Sequence, residues 1–556
     1  MNKLIGVFSI FLLVLGCSSH SPVKKQDLIS KINKEMSSTP TAFGDVGNEK
    51  LEVLAINELS SIKLKYPLRD QNGWTILTPS EDSRLMYVSS STGDDAAAPA
   101  YSVAEVDDIF DPSNITAFKT IAAARKLTRE GYPDWILLKK GDEWVIDKRL
   151  GSLSGRSATE PMVMTSYSSE SDQRPLIKTG IVDGFKTTGS LRFFSMIGLE
   201  FYAHQRDPNS VDFVGWDNVG DAKGFTSFAG QNNPQSAEAI VLEDNLFNFY
   251  AGNIVFTGKG GHKDLVIRRN QILNAYSPSA HAQGLFIYDS NVLLEENLLD
   301  HNGWFQQQYE GKGKAEGQAT MFNHNAYLVH LKNSVIVKNI ISRASSMGIK
   351  FTSNSDKTTG INTIESYNIL IDNNLIIEGE IGLSLGGNND FNNGYRWKNI
   401  NVLNNTFLNI GHSQPTMRTL AWSIEANDWD GGAILGNYIL FNDNLDVKNV
   451  KGVIVKGLSR NITVDANVMY QINAKDGRHV FLKGEEGLEG VAVSRNYIDY
   501  LYDSSSAENI STYMALQGEE QSLHSFIAKV KGLSKGNWDK AYTAERVNEF
   551  LKAQFE

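Results

Sequence analysis

The chain has 556 residues, 41% of them hydrophobic, and a formal net charge of −11. This is ample material for a large core, while the acidic balance argues against general nucleic-acid binding, which needs a basic stripe. Cys17 is the single cysteine, so an intramolecular disulfide is excluded.

In chain order, Lys3 precedes an apolar run over residues 4–15, followed by Gly16-Cys17. This reads as a secretory signal over residues 1–17, whose cleavage leaves Cys17 as a lipid-modified first residue. The run is too short to span a bilayer, and no other stretch suits a transmembrane role. The expectation is a cell-envelope lipoprotein that meets the membrane only through its lipid anchor. Ser18, rather than Asp, next to the anchor points to the outer membrane if the cell is Gram-negative. Residues 18–83 read as a polar tether with a small N-terminal element, since 26–66 carry helix-like apolar spacing. Tyr87-Val88-Ser89 opens a strand into a Gly/Asp turn, Phe118-Lys119-Thr120-Ile121-Ala122 begins a short helix, and Trp135-Ile136-Leu137-Leu138 forms another strand. A helix in this place would cover the open end of a solenoid, as a terminal repeat must.

These segments, with Ser154-Gly155-Arg156-Ser157-Ala158-Thr159-Glu160-Pro161, resemble the start of bacterial pectin-lyase-like β-helix proteins. The resemblance covers residues 85–500. It implies a right-handed parallel β-helix and, since many such proteins act on uronate-containing polysaccharides, a glycan substrate. The Asn-Thr-Asp and Gly-His-Gly blocks of polygalacturonase-like relatives are absent, as is the Tyr-Gly-x-Asp-Pro-His-Asp block of alginate-epimerase-like ones. The polymer is therefore not named by the resemblance.

Between Asn245 and Asn496 one phrase recurs nine times: apolar, any, apolar, two of any, Asn. The asparagines are 245, 270, 297, 339, 374, 405, 437, 467 and 496. A period of this length is a solenoid signature. Apolar residues two apart make a strand with one buried face, and helical repeats would instead show 3.6-residue stripes. Asn is expected to take the left-handed turn at each corner and to ladder with its neighbours along the axis. The fold expected is all-β: a parallel β-helix over 84–504 with an N-terminal capping helix. Residues 505–556 form a helical tail that packs over the last coil.

Aligning the strands before each phrase places Val255, Phe286, Tyr327, Lys350 and Ser384 in one outward column, because strand side chains alternate. Tyr327 and Lys350 then face out from adjacent coils, with His324 close by and Arg343 at a nearby corner. Elimination next to a uronate carboxylate needs a base, an acid and a cation. Lys350 is the candidate base, Tyr327 and His324 are proton donors, and Arg343 is the carboxylate ligand. The longest interval contains a loop at 301–320 with His301, Trp304 and Tyr309, and an excursion at 203–236 carries Arg206 and Trp216. These five residues are substrate-binding candidates, since long loops on a rigid scaffold concentrate binding. A third excursion, at 411–430, includes Arg418.

No His, Cys or carboxylate spacing has the specificity of a metal motif, and a Ca²⁺ held by scattered oxygens would leave no sequence signature. The leading reading is a monomeric polysaccharide lyase acting on an anionic glycan. A glycoside hydrolase needs paired carboxylates, for which Asp289, Glu425 and Asp428 are available. A β-helix that binds carbohydrate without chemistry is the third reading.

Overall fold

The computed structural model describes residues 67–187, 189–228, 236–257, 261–308, 315–353, 365–387, 396–441, 447, 449–472, 479–484, 488–501 and 508–555. Cys17 and Tyr309 lie outside the described residues. The described part of the large unit, 49–551, is built on a parallel β-helix.

Each coil contributes three strands. Those of the first and second faces join in one 22-stranded sheet, and those of the third form a 12-stranded sheet running from Glu143–Val145 to Tyr497–Leu501. Successive coils pair in parallel and in register. The buried column of the first face runs Ile254, Leu285, Ala326, Ile349, Leu383, Ile424 and Val453. All seven are at most 1% exposed. Aromatic rings stack along the axis in the same way, Phe185 on Phe225 at 4.8 Å and Phe201 on Phe247 at 5.3 Å.

The nine asparagines line one corner between the second and third faces. Each Nδ2, together with its own backbone N–H, donates to the Oδ1 of the asparagine one coil on, from Asn245 through to Asn496. The left-handed turn falls elsewhere than the sequence suggested. It is the residue before each asparagine that takes positive φ: Asp244, Arg269, Glu296, Lys338, Asn373, Asn404, Gly436, Ala466 and Arg495. The asparagine is required for its amide, which satisfies backbone and side-chain groups sealed from water.

At the N-terminal end Thr120 caps a short helix, Ile121–Arg125, and buries Ile121 and Ala124. The tail also departs from expectation. Its helices Ile510–Leu516, Leu523–Lys531 and Ala544–Ala553 belong to a segment that runs back along the solenoid instead of packing over the last coil. Gln271 donates to the carbonyls of Lys531 and Leu533, Asn548 bonds Asn373, and Lys531 reaches Asp300. Trp538 meets Trp74 edge-on at 5.3 Å. Trp74, 4% exposed, is thereby held against the same flank.

Candidate active site on the first face

The outward column of the first face has the predicted register and continues further. Val255 pairs with Phe286, Phe286 with Tyr327, Tyr327 with Lys350, Lys350 with Ser384, and Ser384 with Glu425. The strand Met347–Thr352 enters through Gly348, where a Cβ would lie 2.6 Å from the Gly382 carbonyl oxygen. Glycine lets this coil sit close against the next, which fixes the height of Lys350.

A hydrogen-bonded relay runs down the column. Lys350 Nζ donates to Ser384 Oγ (3.2 Å) and to the Gly386 carbonyl (2.9 Å). Ser384 donates to Glu425, whose other carboxylate oxygen holds Lys456 Nζ at 2.5 Å. Burial lowers the Lys350 pKa to about 8, and the nearby Lys456 pushes the same way against Glu425 and Asp428. Burial would raise the Glu425 carboxyl, but its bonds with Lys456 and Ser384 hold it below the usual value. Among the described residues Lys350 has no ion pair. A neutral amine keeps two N–H groups, and both are engaged here. The lone pair is left free to accept a proton.

Tyr327 stacks on Phe286 (5.5 Å between ring centres) and lies 5.3 Å from the His324 ring. Burial raises its phenol pKa. His324 is 4% exposed, and its Nδ1 finds no partner among the described residues. Burial, then Lys350, Arg418 and His281, push its pKa well below the ordinary value, so the ring is neutral. It therefore does not act as a cationic proton donor. Arg418 stands across from it, paired with the buried Glu380 through Nε and Nη2, with Nη2 also donating to Ser346. Phe322, stacked on His281 at 5.2 Å, and Met417 are 50% and 61% exposed at this rim.

The other predicted residues go elsewhere. Arg343 turns away over the third face, where Nη2 pairs with the fully buried Asp300 at 2.6 Å and Lys531 adds a second cation at 3.0 Å. Its carbonyl accepts Trp304 Nε1, and Trp304 lies 4.4 Å from His301. His301 bonds Asn274, and burial lowers its pKa to about 4. His301 and Arg343 are the left-handed corner residues of consecutive coils. Their role is to turn the chain. Arg206 is wholly buried and donates to the carbonyls of Phe249, Val219, Gly220 and Tyr276. It holds the 203–222 excursion together and, being fully buried, presents no donor to a sugar. Trp216 packs between Tyr276 and Phe305 in the same excursion. The loops do meet, since Gln308 N donates to the Pro415 carbonyl at 2.7 Å.

Of the candidate hydrolase carboxylates, Asp289 is paired with Lys332 at 2.6 Å and Asp428 accepts the Leu458 N–H at a corner. Only Glu425 lies in the column. Its place was legible, because Ile424-Glu425-Ala426 repeats the pattern of the preceding coils. Lys456 and the Glu380–Arg418 pair carried no comparable signal. Among the described residues no three His, Cys, Asp or Glu side chains gather as a metal site.

No family model matches the chain, and no curated protein matches its sequence. Solved structures do resemble it. A rhamnogalacturonan lyase is 11% identical, covering 78% of this chain and 90% of its own, with a TM-score of 0.40. A lacto-N-biosidase from Eubacterium ramulus is 12% identical, covering 75% and 68%, with a TM-score of 0.40. A tailspike protein of an E. coli bacteriophage, solved with a pentasaccharide, is 12% identical, covering 84% and 71%, also with a TM-score of 0.40. Each of these three is named for an activity on a carbohydrate or was solved with one bound.

Proposed function

We propose that the protein is a polysaccharide lyase that cleaves an anionic, uronate-containing glycan by β-elimination on its first face. The observation that carries this reading is Lys350: a half-buried amine with no ion pair among the described residues, its pKa lowered to about 8, in register with Tyr327 on the adjoining coil. The Lys350 lone pair takes the proton next to the uronate carboxylate. The electrons of that C–H bond form the new double bond, and the bond to the glycosidic oxygen breaks. Tyr327 protonates the departing oxygen, and the Lys350 ammonium then returns a proton to the phenolate. Arg418 takes the role first given to Arg343, because its Nη1 is uncommitted among the described residues and can meet the carboxylate. Phe322 and Met417 offer apolar surface to sugar rings.

Glu425 does not favour hydrolysis, since it is tied to Lys456 and Ser384 and has no second carboxylate in the column. Incubation with pectate, alginate and glycosaminoglycans tests the reading. Unsaturated, ultraviolet-absorbing products are expected from one of them. Reducing ends without that absorbance would establish hydrolysis instead. We further propose that Cys17 is the lipid anchor, in which case Cys17→Ser should move the protein out of the membrane fraction.

A further inference from the structure

The first face continues beyond the candidate catalytic column toward the N-terminal end. Lys350 pairs with Tyr327, Tyr327 with Phe286, Phe286 with Val255, Val255 with Thr226, and Thr226 with Lys186. Five steps of strand spacing put Lys186 about 24 Å from Lys350. Beside Lys186 lies a cavity of about 320 Å³, lined also by Arg125, Arg149, Thr187, Ser190 and Glu130. Neither arginine has an ion pair among the described residues. Lys186 is held by Asp183 at 2.9 Å, and Glu130 accepts the Ser154 N–H at 3.1 Å. The Thr187 hydroxyl is buried and has no partner among the described residues. Three cations against two carboxylates, Glu130 and the Asp183 that holds Lys186, leave a locally basic pocket on a chain of net charge −11. An acidic protein binds an acidic polymer through such a local field.

We propose that this cavity is a distal subsite that binds an acidic group, carboxylate or sulfate, of the same glycan chain that reaches Lys350. Arg125 and Arg149 supply the charge-assisted hydrogen bonds, and Phe286 lies on the path between the two sites. A sugar residue and a coil have similar rise, so the substrate spans roughly five residues between them. The proposal rests on the reading of the first face as a glycan groove, but not on elimination as the reaction.

The test is affinity electrophoresis of the full chain and of the double variant Arg125→Gln, Arg149→Gln in gels containing polygalacturonate, alginate, chondroitin sulfate, unsulfated chondroitin or neutral dextran. The parent should be retarded by at least one acidic polymer and not by dextran. The variant should lose about tenfold in apparent affinity, the scale of one charge-assisted hydrogen bond, with an unchanged melting temperature. Retention by polygalacturonate or alginate identifies a carboxylate as the acidic group, and retention by chondroitin sulfate but not by unsulfated chondroitin identifies a sulfate. Equal retardation of parent and variant overturns the subsite, as does a parent that no acidic polymer retards. If the double variant melts early, Arg149→Glu at the exposed rim replaces it under the same criteria. Loss of retardation in the variant, with no unsaturated product from the parent, keeps the subsite and discards elimination. Unsaturated product with unchanged retardation does the reverse.

Discussion

Two polar clusters, around Asp300 and around Lys350, stand on opposite sides of the corner between the third and first faces. At Asp300 charge is met by charge: Arg343 and Lys531 both pair with the buried carboxylate, and Arg343, Lys531 and Trp304 belong to one packed assembly with the tail. At Lys350 the amine reaches only a serine hydroxyl and a backbone carbonyl, and the nearest carboxylate is already held by Lys456. The difference explains their chemistry. A paired cation keeps its proton and holds structure together. A half-buried cation without a pairing carboxylate gives its proton up at a lower pH than an ordinary lysine and so becomes available as a base.

The sharpest way to break this comparison is to truncate both cations. Lys350→Ala should lower turnover by about 10²-fold or more with little change in melting temperature. Arg343→Ala should do the opposite, costing about 3 kcal/mol of stability because it strips a partner from a buried carboxylate, while still-folded protein keeps its turnover. Denaturant unfolding paired with product assays distinguishes the two, and an inactive but stable Arg343→Ala would reverse the assignment.

Tyr327→Phe removes only the hydroxyl and should cost about 10²-fold in kcat with KM nearly unchanged. A variant with full turnover would pass the acid role to another group or to water. Asn374→Ala tests the corner ladder: it leaves the Asn339 amide and backbone N–H without their acceptor, a loss of about 1–3 kcal/mol in unfolding free energy with no effect on kcat/KM of the folded fraction.

The smallest expected effect is in pH dependence. The Lys350 pKa is lowered to about 8, so the neutral, basic form is scarce below that pH and dominant above it. kcat/KM should therefore climb as pH rises through about 8 and then level off. Ser384→Ala removes one of the two acceptors that hold the amine and should move that inflection. A flat profile across the same range would mean that Lys350 does not titrate during catalysis.

The nine asparagines, the period-two strands and the column from Val255 to Ser384 follow from local chemistry that repeats in every coil, and so they could be read directly from the residues. Repetition also places Glu425 beneath Ser384, because each coil inherits the register of the one before. What repetition cannot convey is where non-repeating pieces come to rest. The tail returns along the flank to supply Lys531 to Asp300 across more than two hundred residues, and the same buried carboxylate holds Arg343 from the next coil as a paired strut. Arg206 looked like a loop cation, yet the excursion closes over it and spends its guanidinium on backbone carbonyls. Burial and pairing are properties of the assembled solenoid. They decide whether a given lysine or arginine carries a proton to a substrate or simply holds the chain in place, because both depend on neighbours distant in sequence.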